Sequence, residues 1–243
     1  MISSKIKKLR QKFLKYDIDG YVVPKNDEYF GEYSTPDRLK FISNFDGSAG
    51  IAIILKEKNY LFVDGRYTIQ ANSQSGKNFS IIEIHKKLPW KILKHRIKIG
   101  YNPYCFTSLN LKKYFKNYFS LIPIYTDLIR LNKSKRSFKR FYFIKDNISG
   151  EKSLSKINRV LKYLEKDKSD CLFVTAPENI AWLLNLRGGD NPYSPIPNCR
   201  LILKSNGEIY LFVKKSKVLN LFKKKNIFKN KIIDENKIFK YLY

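Results

Sequence analysis

The chain has 243 residues, 43% of them hydrophobic, 28% charged and 15% aromatic, a balance that suits one large or two ordinary folded domains and excludes a long disordered tract. Its 48 Lys and Arg against 21 Asp and Glu give a net charge of +27, which would suit a polyanion partner. The basic residues are scattered, however, as at Lys56, Lys77, Lys98 and Lys152, and the short clusters at Lys133–Arg140 and Lys223–Lys225 carry no interleaved aromatics on one helix face, so drift in composition is the simpler reading and a nucleic-acid partner is not expected.

Ile2, Ile6, Leu9 and Phe13 recur at spacings of three and four, the pattern of an amphipathic helix with a basic outer face. Gly20–Pro24 reads as a short buried strand ended by proline. Ile51–Leu55 and Tyr60–Val63 read as two strands joined by a polar turn at Lys56–Asn59. A helix over Arg66–Ser75 and a strand over Phe79–Ile84 follow. Ile97–Gly100 and Leu121–Ile124 are further strands, with a helix near Leu109–Phe119 between them. Such alternation defines an α/β domain. Residues 131–150 are rich in Lys, Arg, Ser and Asn and form the expected linker, with one short strand at Phe141–Ile144. A second amphipathic helix then carries Leu154, Ile157, Val160, Leu161 and Leu164 on one face.

After that helix the sequence repeats itself. Asp19-Gly-Tyr-Val-Val is echoed by Asp170-Cys-Leu-Phe-Val, Asn44-Phe-Asp-Gly by Asn185-Leu-Arg-Gly, and Tyr60-Leu-Phe-Val by Tyr210-Leu-Phe-Val. The offsets are 151, 141 and 150 residues (170 − 19, 185 − 44, 210 − 60), so two copies of one helix-and-strand unit are expected. The domains read as 1–130 and 151–243, the second truncated because counterparts of the Ile97–Gly100 and Leu121–Ile124 strands are lacking; an unpaired sheet edge is then expected there.

Cys105, Cys171 and Cys199 are too far apart for a zinc knuckle or redox pair, and read as buried thiols in a reducing compartment. Met1–Tyr16 lacks the apolar centre of a signal peptide and no apolar run approaches the roughly 20 residues of a membrane span, so a cytoplasmic protein without a membrane partner is expected. His85 and His95, the two histidines, have no carboxylates at ligand spacing and read as solvated. Trp90 and Trp182 read as core aromatics. Asp46-Gly47-Ser48-Ala49-Gly50 is a tight turn between packed elements, with an anion-binding loop as the alternative. Ser48 lacks a nucleophile elbow. Asp64-Gly65-Arg66-Tyr67 is a turn opening a helix, which Asp64 can cap and Arg66 can brace. Asn185-Leu-Arg187-Gly-Gly-Asp190 is the place for a functional site: either Arg187 reaches a ligand or it braces Asp190.

Four segments together resemble the three-domain aminopeptidases P. They are Phe41–Gly50, Asp64–Tyr67, Ile99–Pro103 with Thr107, and Glu178–Asp190, in the family's order over roughly residues 15 to 215. Asn102 stands where the family more often has Asp, and the segment after Leu128 lacks the Trp and Arg-Pro pair of the family. The resemblance implies two tandem creatinase N-terminal-like, ribonuclease H-like α/β domains, and it implies that the catalytic "pita-bread" domain is absent. In such enzymes that domain holds two divalent ions, usually manganese, through Asp, His and Glu side chains that activate a shared water. This chain is therefore expected to be the non-catalytic part of an enzyme that releases an N-terminal residue before proline, with no metal of its own. The resemblance further implies a peptide with proline second as substrate, a homodimer when intact, and Asn185, Arg187 and Asp190 facing the substrate. Asp46, Gly47, Gly50, Asp64, Gly65 and Arg66 are expected to be structural. A stand-alone binding or regulatory module and a basic nucleic-acid binder are the alternatives.

Overall fold

The protein is described by a computed structural model covering residues 1–31, 36–129, 140–191, 193–218, 221 and 230–242. The chain divides into two compact units, Met1–Ser134 and Lys135–Tyr243.

In the first unit, helix α1 (Ile2–Arg10) buries Ile6 and Leu9, and Phe13 follows in the next turn, 3% exposed. Strand β1 (Gly20–Pro24) is buried at every position. Helix α2 (Arg38–Ser43), which hydrophobic spacing did not reveal, is capped by Asp37, whose side chain accepts from the Lys40 amide at 2.9 Å. Strands β2 (Gly50–Leu55) and β3 (Asn59–Val63) form the expected hairpin. A 3₁₀ turn at Gly65–Tyr67 leads into α3 (Thr68–Ser75), then β4 (Ser80–Glu83), β5 (Lys98–Tyr101), α4 (Ser108–Phe115) and β6 (Ser120–Pro123). The expected helix to Phe119 ends earlier because Lys116 turns to φ 49° and the chain tightens into a 3₁₀ turn.

The six strands lie in the order β4-β3-β2-β1-β5-β6, with β2 alone antiparallel to its neighbours. Both faces are covered, so side chains alternate between two cores rather than between core and water. Tyr21, Val23, Ala52, Ile54, Leu61 and Val63 pack on the α1–α3 side; Val22, Ile51, Ile53 and Phe62 pack with Leu111 and Phe115 of α4.

In the second unit, β7 (Tyr142–Phe143) and α5 (Asp146–Ser149) precede α6 (Ser153–Lys166), β8 (Cys171–Val174), α7 (Pro177–Leu184), β9 (Leu186–Arg187), β10 (Arg200–Lys204), β11 (Ile209–Phe212), β12 (Asn230–Ile233) and α8 (Phe239–Leu242). The strands β12-β11-β10-β8 form one sheet and β7 pairs with β9. Part of the expected linker therefore belongs to this unit: Phe141 is 3% exposed in its core and β7 pairs through Tyr142 and Phe143 with Arg187 and Leu186. Residues 131–139, including most of the basic cluster at 133–140, lie outside the described residues, as does the cluster at 223–225.

The repeat is visible strand by strand. β2 and β10, β3 and β11, and β4 and β12 each start 150 residues apart (200 − 50, 209 − 59, 230 − 80), and their pairings keep the same sense. The repeated Asn44 and Asn185 sit at the same structural point, the left-handed C-cap of α2 and of α7, at φ 68° and 52°. Asn tolerates that conformation better than other side chains with a Cβ. Among the described residues β8 pairs only with β10; Cys171 is exposed and Leu172 is 37% exposed, where β1, flanked on both sides, is buried throughout. Cys105 and Cys199 are buried as expected, but Cys171 is not: it lies on β8, at the edge of its sheet among the described residues. No helix among the described residues is long and apolar enough to cross a membrane.

Candidate functional site

Helix α7 starts with Pro177 at its first turn and buries Ile180, Ala181, Leu183 and Leu184. Trp182 falls on the outer side, 48% exposed, and corrects the expectation of a core aromatic. Two cations lie over its ring, Lys156 Nζ at 4.7 Å and the Arg159 guanidinium at 5.8 Å from the centroid. Trp90 is partly buried, with Lys116 Nζ 3.8 Å from its ring centroid.

The helix ends at Asn185, 2% exposed. Its Oδ1 accepts from Lys156 Nζ at 2.7 Å, and its Nδ2 donates to Glu151 O at 2.8 Å and Ser149 Oγ at 2.9 Å. Lys156 is itself 2% exposed, and its ammonium also donates to Trp182 O at 2.9 Å. Burial, more than the neighbouring charges, pulls its pKa below the usual lysine value. Asn185 is thus the hub that joins α5, α6 and α7.

Arg187 follows on β9. Its Nη1 donates to Ala181 O and Leu186 O, each at 2.9 Å, closing the carbonyl end of α7. Nε and Nη2 donate to nothing among the described residues. The expected alternative of an Arg187–Asp190 brace is not what forms. Asp190 Oδ1 pairs with Lys217 Nζ at 2.7 Å and Oδ2 accepts from the Asn198 amide at 2.8 Å, both ionic side chains being 13% exposed. Lys217 lies 27 residues along the chain (217 − 190), and spacing alone held no sign of it.

The first-unit motifs are built as local braces. Asp46 Oδ1 accepts from Gln70 Nε2 at 2.7 Å and Gln74 Nε2 at 2.8 Å, tying its loop to α3; the bond from Gln74 leads in holding its carboxyl below the usual range. At Gly47 a Cβ would stand 2.3 Å from Phe45 Cζ, so only glycine fits against that ring. Gly50 opens β2 beside Val63. Asp64 caps the Gly65–Tyr67 turn through the Arg66 amide at 3.0 Å and accepts from Arg66 Nε at 2.9 Å; chiefly that side-chain bond lowers its carboxyl to about 2. Ser48 Oγ lies 2.8 Å from Tyr67 Oη.

Among the described residues no group of three or more His, Cys, Asp or Glu side chains comes together to hold a metal. His85 has Asp64 at 3.4 Å, a carboxylate already held by Arg66, and His95 stacks on Tyr118 at 4.5 Å between centroids. The donors present do not fit a two-metal centre.

The fold defines a class: a protein of two successive α/β units sharing one four-strand plan. Residues 5–129 match a family described as creatinase/prolidase N-terminal domain, and residues 132–242 match a second family of the same description. The chain belongs to the creatinase/prolidase N-terminal domain family. It is 30% identical over 238 residues to "Probable Xaa-Pro aminopeptidase P" of Laccaria bicolor, covering 89% of this chain and 36% of that protein. It is 27% identical over 280 residues to "Xaa-Pro aminopeptidase 1" of Dictyostelium discoideum, covering 99% and 42%. The chain thus spans well under half the length of these relatives. The crystal structure of the X-prolyl aminopeptidase of Caenorhabditis elegans, described as a cytosolic enzyme with a di-nuclear active site, matches with a TM-score of 0.85 over 100% of this chain and 44% of that one. At 23% identity that likeness is one of fold.

Proposed function

We propose that this chain is the non-catalytic portion of an Xaa-Pro aminopeptidase, a scaffold that walls the active site carried by a further domain. The observation that carries the reading is the match of 89% of the chain, at 30% identity, to 36% of a protein so named. In the intact enzyme the substrate is a peptide with proline at the second position, whose tertiary amide resists general peptidases because proline has no N–H. Two divalent ions, manganese by resemblance, act in the catalytic domain, and the enzyme is cytoplasmic and works as a homodimer.

Within this chain Arg187 is the residue assigned to the substrate side, because two of its nitrogens are unused among the described residues. Asn185 and Asp190 hold the loop that presents it. The test is direct. The purified chain, supplied with Mn²⁺ and a Gly-Pro-Ala peptide, is expected to release no glycine; turnover that a chelator abolishes would overturn the scaffold reading. In an intact enzyme carrying these units, Arg187→Ala is expected to raise KM for the peptide about tenfold with less change in kcat, in line with loss of one charged hydrogen bond. An unchanged KM removes Arg187 from the substrate side.

A further inference from the structure

The sheet of the first unit ends in a cleft that the function above does not use. Strands β1, β3 and β4 run the same way, so Pro24, Val63 and the Ile84 that follows β4 meet at one edge, the carboxyl end where open α/β sheets lodge ligands. The cleft there has a volume of about 480 Å³. Its apolar lining includes Ile84, Leu88 and Phe106; Ser48, Ala49 and Lys113 line it as well.

Two observations give the cleft a polarity. The amides of Ser48 and Ala49 lie outside any regular element and donate no hydrogen bond among the described residues. The Lys113 ammonium forms no ion pair among them; its recorded neighbour is the Tyr114 ring, 6.0 Å from the nitrogen. Amides and an ammonium that line one cleft without partners among the described residues favour an anion. Asp64 also lines the cleft and its low pKa keeps it charged, which repels a dianion more than a monoanion. Lys25, the other lysine of the lining, is committed to Asp37 at 2.5 Å.

We propose that this cleft binds a small monocarboxylate, its apolar body against Ile84, Leu88 and Phe106 and its carboxylate toward Lys113 and the amides of Ser48 and Ala49. The volume suits a molecule of one or two residues' size, at the lower part of the range of ligand pockets. The site lies wholly in the first unit, so it stands or falls apart from the role assigned to Arg187.

The test is an amide chemical-shift titration of the ¹⁵N-labelled 243-residue chain with benzoate, its neutral analogue benzamide, and phenyl phosphate. Benzoate is expected to shift the Ser48 and Ala49 resonances saturably in the millimolar range, with benzamide binding about tenfold more weakly. Lys113→Gln, an exposed change that leaves the core intact, is expected to weaken benzoate about fivefold, while Lys7→Gln on α1 leaves it unchanged. Absence of shifts at Ser48 and Ala49, equal binding of benzamide, or indifference to Lys113→Gln would overturn the site. Tighter binding of phenyl phosphate than of benzoate would overturn the monocarboxylate assignment.

Discussion

Asn185→Ala removes one side chain and three kinds of support at once. The bond from Lys156 Nζ at 2.7 Å is charge-assisted, and losing it leaves a 2%-exposed ammonium with Trp182 O as its remaining hydrogen-bond acceptor among the described residues; such a bond contributes about 1.5–3 kcal/mol. The two bonds donated to Glu151 O and Ser149 Oγ contribute about 1 kcal/mol each. Alanine at φ 52° adds roughly 1 kcal/mol of left-handed strain relative to asparagine. The loss comes to about 4 kcal/mol once the usual non-additivity within one network is allowed for, a large share of the 5–15 kcal/mol that holds an ordinary domain together. The chain has two tryptophans, Trp90 in the first unit and Trp182 in the second. In a Trp90→Phe background, urea unfolding followed by fluorescence therefore reports Trp182 alone, beside the altered contact. Asn185→Gly relieves the strain but not the lost bonds, and should recover about 1 kcal/mol of the loss. A loss below about 1 kcal/mol for Asn185→Ala, or no difference between alanine and glycine, would refute the assignment of Asn185 as a hub and left-handed cap.

Gly47→Ala should cost about 1–3 kcal/mol, because the added Cβ meets the Phe45 ring, while Gly31→Ala, with nothing within 4 Å of its added Cβ, should cost almost nothing; paired thermal melts decide it. Asp190→Asn and Lys217→Met should each destabilise the second unit by about 2–3 kcal/mol, and the double variant should lose less than the sum, as a double-mutant cycle will register. Asp64 is held at about 2 when folded and titrates near 3.9 when unfolded, so its contribution is present above about pH 4 and fades as the pH falls through about 2; unfolding midpoints of Asp64→Asn and the parent should draw together as the pH falls from about 4 and converge below about 2. Lys156 behaves in the opposite sense. Its folded pKa is lowered, so the unfolded chain binds the extra proton, and stability should rise as the pH climbs toward the unfolded value near 10.4, a slope that Lys156→Met should flatten.

The sequence by itself carried whatever depends on neighbours along the chain. The three- and four-residue spacing of Ile2, Ile6, Leu9 and Phe13 set a helix with one apolar face, and the apolar runs at Gly20–Pro24 and Ile51–Leu55 set strands covered on both faces. The echo of Asn44 in Asn185 was legible as a repeat, and its cause is local too: each asparagine ends a helix in the left-handed conformation. Asp64 capping its own turn belongs to the same kind. Tertiary structure decided what spans distance. Helix α2 has six residues, too few for a hydrophobic period to show, and it exists because Leu39 and Ile42 are buried against the sheet. Phe141 reads as the start of a short strand within a linker until the second core buries it. The pairing of Asp190 with Lys217 instead of Arg187, and the outward turn of Trp182 beneath two cations, follow from which faces α6, α7 and the sheet leave free. Side-chain partners separated by tens of residues are chosen by packing, which compares all faces at once, whereas a sequence pattern compares only neighbours a few residues apart.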